Sequence, residues 1–308
     1  MLLILTPHYQ DYDSLSMLLS NLKKNINRKF RMIIVDDGSL NNSINISNLR
    51  TKNISVDVLF LFKNVGHQKA ISIGLTYIYK KYGKYKPDVL IMDSDGEDTP
   101  KSTKLLLDGN LDKNCDVVVA RRKKRNEALF FRIYYKIYIF IFKILTGNKI
   151  DFGNFCILKF SALERMIFIK ESQSHFAASL ILSKLRIKGV KIDRGTRYFG
   201  SSKMNFNSLV YHGLKAIIVF SDNVLVRIGI FSIFMVCILF VGFIISILLK
   251  LYGLTPPGWL TSSIGILLIL LLQTIAFTLM FIMISTLSKY EKSQYSEMIG
   301  LIKSVKKI

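Results

Sequence analysis

Two long apolar runs near the end of the chain constrain its fold more than any other feature. Residues 228–249 carry no charge and are bounded by Arg227 and Lys250, and residues 259–287 are also uncharged. Each run exceeds the roughly 20 residues that a helix needs to cross the core of a bilayer. A single run of this kind could be the core helix of a soluble protein, but two in tandem favour a membrane. We therefore predict two transmembrane helices within residues 223–288.

Basic residues on both sides of this pair predict its orientation. The turn around Pro256-Pro257 is nearly uncharged, whereas the residues before the first run and after the second are basic. Because positive charge accumulates on the cytoplasmic side, both termini are expected there. The sequence thus predicts a multi-pass protein of the cytoplasmic (inner) membrane. Residues 1–222 would form its cytosolic domain and residues 289–308 a basic cytosolic tail.

The whole chain is basic, with 43 Lys and Arg against 21 Asp and Glu, so its partners are expected to be anionic. An anionic bilayer surface and phosphorylated substrates both satisfy this charge. The sequence contains no zinc-finger spacing, basic zipper or RNA-binding aromatic signature, so nucleic acid is not expected. Its three cysteines lack paired spacing, which argues against a disulfide framework or a zinc site and suits a reducing cytosol.

Short apolar runs alternate with helical patterns in the first part of the chain. Residues 14–22 and 70–82 are the helical candidates. Continuous apolar strands that alternate with helices are typical of an α/β domain whose largely parallel sheet is covered on both faces. The runs of strand length are residues 2–5, 32–35, 56–62, 89–92 and 117–120.

Polar motifs follow these runs where each predicted strand ends. In open α/β sheets the carboxyl edge of the strands is where ligands bind, so the motifs are expected to form one site. They are Thr6-Pro7-His8, Asp36-Asp37-Gly38-Ser39, Asn64-Val65-Gly66 and Asp93-Ser94-Asp95.

The segment from Asp93 to Asp98 packs four carboxylates into six positions. Like charges this close repel one another unless a cation lies among them, and oxygen ligands suit Mg²⁺ or Mn²⁺. A solvated acidic turn is the alternative, but the scarcity of acidic residues elsewhere favours a metal. Asp36 and Asp37 would be an ordinary turn on their own, yet their place at the same edge favours contact with a nucleotide base or ribose.

Two further segments have the composition of helices at a membrane surface. Residues 128–145 are aromatic and aliphatic, and Arg132, Lys136 and Lys143 interrupt them on one side of a helix. This pattern is typical of a helix that lies in the membrane plane, and a core helix with a solvated stripe is an equal alternative. Residues 206–220 could form a second interfacial helix.

Seven segments, in order, resemble the signature blocks of family 2 glycosyltransferases and, further along, of their polyisoprenyl-phosphate branch. That branch includes dolichol-phosphate mannose synthase and the bactoprenol glucosyltransferases. The resemblance extends over almost the whole chain, including the two apolar runs. The segments are Pro7-His8-Tyr9-Gln10-Asp11, Val35-Asp36-Asp37-Gly38-Ser39, Asn64-Val65-Gly66-His67-Gln68-Lys69-Ala70, Asp93-Ser94-Asp95-Gly96-Glu97-Asp98-Thr99-Pro100, Arg122-Lys123-Lys124-Arg125, Asp151-Phe152-Gly153-Asn154-Phe155 and Arg197-Tyr198-Phe199-Gly200-Ser201-Ser202-Lys203.

The resemblance implies a GT-A nucleotide-sugar fold and a hexosyltransferase that uses Mg²⁺ or Mn²⁺. Such an enzyme would transfer a sugar, with inversion, from a UDP- or GDP-linked donor to a polyisoprenyl phosphate such as undecaprenyl phosphate. The product would be a lipid-linked sugar for the assembly or modification of cell-surface glycans. Paired membrane helices also make a homo-oligomer reasonable.

The same resemblance implies roles for individual residues. Nucleotide contacts would come from Pro7, Tyr9, Asp11, Asp36, Asp37 and Asp93. The metal ligands would be Asp93, Asp95 and Glu97. The acceptor phosphate would be bound by Arg122, Arg125, Arg197, Ser202 and Lys203. Catalysis would depend on Asp93, Asp95, Arg122, Arg197 and Lys203.

Some residues depart from the family pattern. Glu97 stands where relatives usually have glutamine, and Asn154 and Cys156 stand where many have an acidic residue and an arginine. An ionised phosphate acceptor needs no catalytic base, so Asn154 is compatible with transfer. The departures also leave open a non-catalytic membrane scaffold or a sugar-binding partner of a flippase. A polysaccharide synthase is disfavoured, because the lone tryptophan, Trp259, lies beside an apolar run and not in a Gln-x-x-Arg-Trp motif.

Overall fold

The fold is described from a computed structural model of the chain. The structure describes residues 1–26, 28–40, 44, 46, 49, 54–109, 114–122, 129–200, 206–290 and 295–308. These residues form two compact units, and each is considered by itself. The first unit comprises Met1–Ile137, Lys149–Val219 and Ser293–Ile308, and the second comprises Tyr138–Asn148 and Phe220–Lys292.

The first unit is built on a mixed sheet whose strands lie in the order β7-β5-β6-β4-β1-β2-β3-β8. Its strands are β1 (Leu2–His8), β2 (Phe30–Asp36), β3 (Val56–Leu61), β4 (Asp88–Ile91), β5 (Val117–Arg122), β6 (Cys156–Leu158), β7 (Ile187–Ile192) and β8 (Ile302–Lys307). The first five confirm the strands that the apolar runs predict. The last three were not predicted, because β6 is short, while β7 and β8 are interrupted by lysines and largely exposed.

Strand direction explains where the site lies. β4, β1, β2 and β3 are parallel neighbours, so their carboxyl ends meet at one edge. β6 is antiparallel to both β4 and β5, and β8 is antiparallel to β3. Because β6 is antiparallel to both β4 and β5, those two strands share one direction, and β7 is parallel to β5. Six of these eight strands therefore run the same way, which confirms the expected largely parallel sheet of α/β class, and β6 and β8 make it mixed.

Helices flank the sheet and cover both of its faces. Leu3 and Leu5 of β1 belong to one buried cluster and Leu2 and Ile4 to the other, as the twofold side-chain period of a strand requires. The described residues include the α-helices α1 (Tyr12–Asn25), α2 (His67–Tyr82), α3 (Pro100–Gly109), α4 (Leu129–Thr146), α5 (Phe160–Met166), α6 (Phe176–Leu182), α7 (Phe206–Ile218), α8 (Ser221–Leu251), α9 (Trp259–Tyr290) and α10 (Tyr295–Gly300).

Close packing of α2 on the sheet needs a glycine. A Cβ on Gly74 would lie 2.3 Å from a methyl carbon of Leu5 and 3.0 Å from one of Val35. The helix therefore lies directly on β1 and β2, and its first residue, His67, is brought to the carboxyl edge of the sheet. The helices predicted at residues 14–22 and 70–82 are confirmed by α1 and α2.

The second unit is dominated by α8 and α9. Both helices are long and apolar enough to cross a membrane. The core helix of a soluble protein would be mostly buried, yet only 6% of the most apolar stretch of α8 and none of that of α9 is buried. The two helices pack together, and the hydroxyl groups of Ser232 and Thr278 lie 2.8 Å apart.

Helices also occupy the two segments that were predicted to be interfacial. α4 covers 129–146 and α7 covers 206–218. Tyr211, Leu214 and Ile218 expose an apolar stripe on α7, whereas Ala216 is buried on its other side. Their position at a bilayer stays a prediction.

Candidate active site

The loops after β1 and β2 are tied together at the carboxyl edge. The Ser39 hydroxyl accepts a hydrogen bond from the Gln10 amide at 2.9 Å, and the Ser39 amide donates to Asp36 Oδ1 at 3.2 Å. The Asp37 amide donates to the His8 carbonyl at 2.9 Å. The two segments with predicted nucleotide contacts are thus neighbours in space.

Residues Pro7, Tyr9 and Asp11 occupy different positions along this edge. Pro7 lies within β1 and is buried, and Tyr9 follows the strand with an exposed side chain. Asp11 caps α1, where its Oδ1 accepts from the Ser14 amide at 3.4 Å.

Asp37 holds the neighbouring loop. Its Oδ1 and Oδ2 accept from the amides of Val65 and Gly66 at 2.7 and 3.0 Å. Burial raises the pKa of the Asp37 carboxyl above its ordinary value, although these two amides act in the opposite direction. Both oxygens are engaged with the protein backbone, so Asp37 shapes the turn that leads into α2.

The acidic loop follows β4 and is organised around a fully buried carboxyl. Oδ2 of Asp98 accepts from the Asp93 amide at 3.0 Å, which curls the loop back on itself. Burial and the charge of Asp93 raise the pKa of Asp98 well above its ordinary value. Burial also raises the pKa of Asp95, whose Oδ1 accepts from the Glu97 amide at 3.0 Å. Concentrated carboxylates of this kind create a demand for positive charge.

Three arginines form ion pairs with these carboxylates. Arg197 bridges two acids, with Nη2 3.0 Å from Asp95 Oδ2 and Nε 3.0 Å from Glu97 Oε1. Arg194 donates from both Nε, at 2.7 Å, and Nη2 to Glu97 Oε2. Arg122, at the end of β5, has its Nη2 3.7 Å from the same oxygen. Burial alone would raise the pKa of Glu97, but Arg194 and Arg197 hold it below its ordinary value.

The segment that carries Arg194 and Arg197 is docked on the acidic loop through its backbone. The amides of Gly195 and Tyr198 donate to the carbonyls of Glu97 and Asp95, each at 2.9 Å. The Tyr198 ring covers Gly96, where an added Cβ would lie 2.6 Å from a ring carbon. The arginines are therefore held by the fold and not by their side chains alone.

His67 and Asn154 border the other side of the motif. His67 Nε2 lies 3.3 Å from Asp93 Oδ1 and 2.9 Å from Asn154 Nδ2. Asn154 thus lies at the acidic loop, although it cannot act as a base.

The residues present are suited to a divalent metal. Asp93 Oδ1 is buried and accepts no hydrogen bond from the described residues, although His67 Nε2 lies 3.3 Å away, so it keeps a lone pair for a cation. Over the described parts of the chain, no group of three Asp, Glu, His or Cys side chains forms a metal cluster. Mg²⁺ and Mn²⁺ are commonly held by one or two carboxylates together with substrate phosphates, and Asp93 and Asp95 can serve in that way.

The structure brings most of the predicted site residues to one edge. Asp93, Asp95, Glu97, Arg122 and Arg197 cluster within hydrogen-bonding or ion-pairing distances. Arg125, Ser202 and Lys203 lie outside the described residues. Arg194 was missed because it lies before the Arg197 block, and its only sequence signal is its spacing of three residues from Arg197.

Comparison with known proteins gives relatives over the same region. Residues 3–171, more than half of the chain, match the family described as "Glycosyl transferase family 2". An undecaprenyl-phosphate 4-deoxy-4-formamido-L-arabinose transferase of Photorhabdus laumondii is 27% identical over 219 residues, covering 67% of this chain and 64% of that protein. An uncharacterized glycosyltransferase of Bacillus subtilis, YkcC, is 24% identical over 260 residues, covering 82% of this chain and 76% of that one. The chain thus spans less than two thirds of the length of the Photorhabdus protein.

Solved structures share the fold. A glucosyl-3-phosphoglycerate synthase from Mycobacterium tuberculosis was crystallised with Mn²⁺, UDP-glucose and phosphoglyceric acid. It superposes with a TM-score of 0.51 at 12% identity, covering 73% of this chain and 79% of that chain. Such low identity bears on fold alone, and it confirms the expected GT-A type.

Proposed function

The chain belongs to glycosyl transferase family 2, and from that premise we propose that it transfers a sugar from a nucleotide-sugar donor to a polyisoprenyl phosphate. One observation carries the proposal. An acidic loop with two candidate metal-ligating aspartates lies beside three arginines, in a chain that also has two helices able to cross a bilayer. The names of the relatives in Photorhabdus and Proteus, both undecaprenyl-phosphate sugar transferases, support this acceptor class.

The donor would bind along the carboxyl edge of the sheet. Pro7, Tyr9, Asp11 and Asp36 would contact the base and ribose, with Asp37 shaping the loop beside them. The diphosphate would extend toward Asp93 and Asp95. Mg²⁺ or Mn²⁺ bound there would neutralise charge on the departing diphosphate, and the crystallisation of the mycobacterial neighbour with Mn²⁺ supports this cofactor.

The acceptor phosphate is ionised at neutral pH, so one of its oxygens can attack the anomeric carbon without loss of a proton. A new carbon–oxygen bond forms on one face while the bond to the diphosphate breaks on the other, which inverts the configuration. Arg122 and Arg197, with Arg125, Ser202 and Lys203, would hold the acceptor and stabilise the negative charge that shifts onto the diphosphate. Asn154 is compatible with this mechanism because no base is required.

Transfer would occur at the cytosolic face of the membrane. β8 joins the same sheet as β1, so the chain leaves the first unit before α8 and returns to it after α9. If both helices cross the bilayer, they form a hairpin that leaves both termini on one side. The basic flanks support the cytosol as that side.

Labelled nucleotide sugars test the proposal. Purified protein would be incubated with undecaprenyl phosphate and a panel of UDP- and GDP-sugars, and label in an organic extract would be counted. We expect one donor to label lipid, EDTA to stop the reaction, and added Mg²⁺ or Mn²⁺ to restore it. A water-soluble labelled polymer would favour a polysaccharide synthase, and no label from any donor would contradict the enzyme.

A further inference from the structure

Both carboxylate oxygens of Glu97 are occupied by guanidinium groups. Oε1 accepts from Arg197, and Oε2 accepts from Arg194 and lies near Arg122. The Glu97 side chain is only 13% exposed, whereas the Arg194 side chain is 43% exposed, so the carboxylate is largely buried beneath partly exposed guanidinium groups. A cation bound to Glu97 would stand beside three guanidinium charges, which would repel it.

Asp93 contrasts with Glu97. Its Oδ1 accepts no hydrogen bond from the described residues and lies 3.3 Å from His67 Nε2, whereas both oxygens of Glu97 contact arginines. Oδ2 of Asp95 contacts Arg197, so one guanidinium joins the two neighbouring acids. In this loop Asp93 is therefore open to a cation and Glu97 is fully paired with arginines, while Asp95 stands between the two cases, because Arg197 contacts its Oδ2.

The backbone fixes this arrangement. Amides of Gly195 and Tyr198 bond to carbonyls of the acidic loop, and Ser102 Oγ donates to the Asp193 carbonyl at 3.2 Å. These hydrogen bonds fix the backbone of residues 193–198 against the acidic loop. The directions of the Arg194 and Arg197 guanidinium groups then depend on their contacts with Glu97.

We propose that Glu97 is a positioning residue that holds the guanidinium groups of Arg194 and Arg197 at the Asp93–Asp95 motif, and that it is not a metal ligand. The inference rests on the proposed sugar transfer and revises the expected role of Glu97. Arg194 then becomes a further residue of the site, held there by Glu97. Misaligned arginines impair stabilisation of the departing diphosphate more than binding of the donor. Loss of Glu97 is therefore expected to lower kcat and to leave KM for the donor nearly unchanged.

Measurement of Mn²⁺ affinity distinguishes a positioning role of Glu97 from a role as metal ligand. Mn²⁺ would be titrated into wild type, Asp93→Asn and Glu97→Gln in separate experiments with UDP and with GDP, and the free ion would be followed by electron paramagnetic resonance. We expect Asp93→Asn to weaken Mn²⁺ binding at least about tenfold and Glu97→Gln to change it by less than about threefold. Equal losses in the two variants would overturn the proposal. Wild-type binding by Asp93→Asn would remove the metal site itself, and the proposed cofactor with it.

Kinetics test the positioning role. Glu97→Gln and Arg194→Gln should each lower kcat about tenfold with donor KM within about threefold, and the double variant should be no slower than the slower single one. Arg186→Gln is the matched control, because Arg186 forms a comparable pair with Asp116 outside the site and should not alter kcat. If Glu97→Gln does not fold, Arg194→Gln carries the test alone. Wild-type kcat in Arg194→Gln, or multiplying effects in the double variant, would contradict the proposal.

Discussion

At the scale of single residues, the partners of each acid decide its role. Asp37 bonds to two backbone amides, Asp98 is buried beneath the acidic loop, and Glu97 meets arginines. Asp93 keeps an oxygen that accepts no hydrogen bond from the described residues. Identical chemical groups in this site thus have different surroundings, because the fold gives each a different neighbour.

Gly96 is the residue whose replacement tests the docked segment most directly. Its φ of +91° lies in a region that side chains disfavour, and a Cβ there would collide with the Tyr198 ring. We expect Gly96→Ala to displace Tyr198 and the two arginines before it, Arg194 and Arg197, and to lower kcat at least about tenfold. Circular dichroism would verify folding. Wild-type kcat in a folded Gly96→Ala variant would contradict the assigned geometry.

At the scale of elements, α7 presents two different faces. His212 stacks on His175, with ring centroids 4.3 Å apart, and burial lowers the pKa of both imidazoles, that of His175 to about 3. The opposite face exposes Tyr211, Leu214 and Ile218. A neutral, buried histidine pair on one side and an apolar stripe on the other suit a helix that lies between the domain and lipid.

Replacement of exposed apolar residues on α7 should lower the rate of transfer to a lipid acceptor. We expect the double variant Leu214→Ser/Ile218→Ser to lower kcat/KM for undecaprenyl phosphate about tenfold. The kcat/KM for a short, water-soluble isoprenyl phosphate should be unchanged, since the site itself is intact. Equal losses with both acceptors would mean that the stripe supports the fold and not the membrane contact.

The ion pair between Asp116 and Arg186, the residues just before β5 and β7, predicts a change in stability at acidic pH. Arg186 bonds to both oxygens of Asp116, and this lowers the pKa of the Asp116 carboxyl to about 2. A lowered folded-state pKa stabilises the protein above the ordinary value of about 4, and the gain disappears as pH falls from about 4 to 2. The difference in Tm between wild type and Arg186→Gln should be present at pH 7 and close within that window. Because the Arg186 side chain is largely exposed, we expect a gap of only about 1–3 °C. A gap independent of pH would contradict this ion pair.

Sequence patterns predict the parts of this fold that depend on local repetition. Apolar runs locate β1 to β5 and the helices α8 and α9, and strand-end motifs locate the site. Sequence patterns do not predict β6 and β8, because one is short and the other rich in lysine, and both form through pairing with strands that are distant in sequence. Arg194 was missed for a similar reason, since its partner Glu97 is far away in sequence.

At the scale of the whole molecule, the C-terminal strand is the feature with the broadest consequence. β8 pairs with β3, and Asp57 of β3 is fully buried while it accepts from Arg31, Lys81, Tyr77 and Tyr82. These contacts of Asp57 therefore hold β3, the strand with which β8 pairs, in the sheet. The chain segments on either side of α8 and α9 consequently belong to one sheet.

Cysteine labelling tests the proposed transmembrane hairpin of α8 and α9. In a Cys237→Ser background, Leu254→Cys should react in intact cells with a membrane-impermeant maleimide. Ser304→Cys on β8 should react only after the cells are opened. The native Cys115 and Cys156 are buried, and burial raises the pKa of the Cys156 thiol, so they should stay unlabelled. Labelling of both introduced cysteines in intact cells would contradict the topology.

Transfer by Asp95→Asn is the most direct test of the central claim that the acidic loop is the centre of sugar transfer. Asparagine keeps the size of the side chain but removes the charge that a metal and Arg197 require. We predict that Asp95→Asn, with a Tm close to that of wild type, transfers labelled sugar to undecaprenyl phosphate at least about 100-fold more slowly. Transfer at the wild-type rate by this variant would contradict the account.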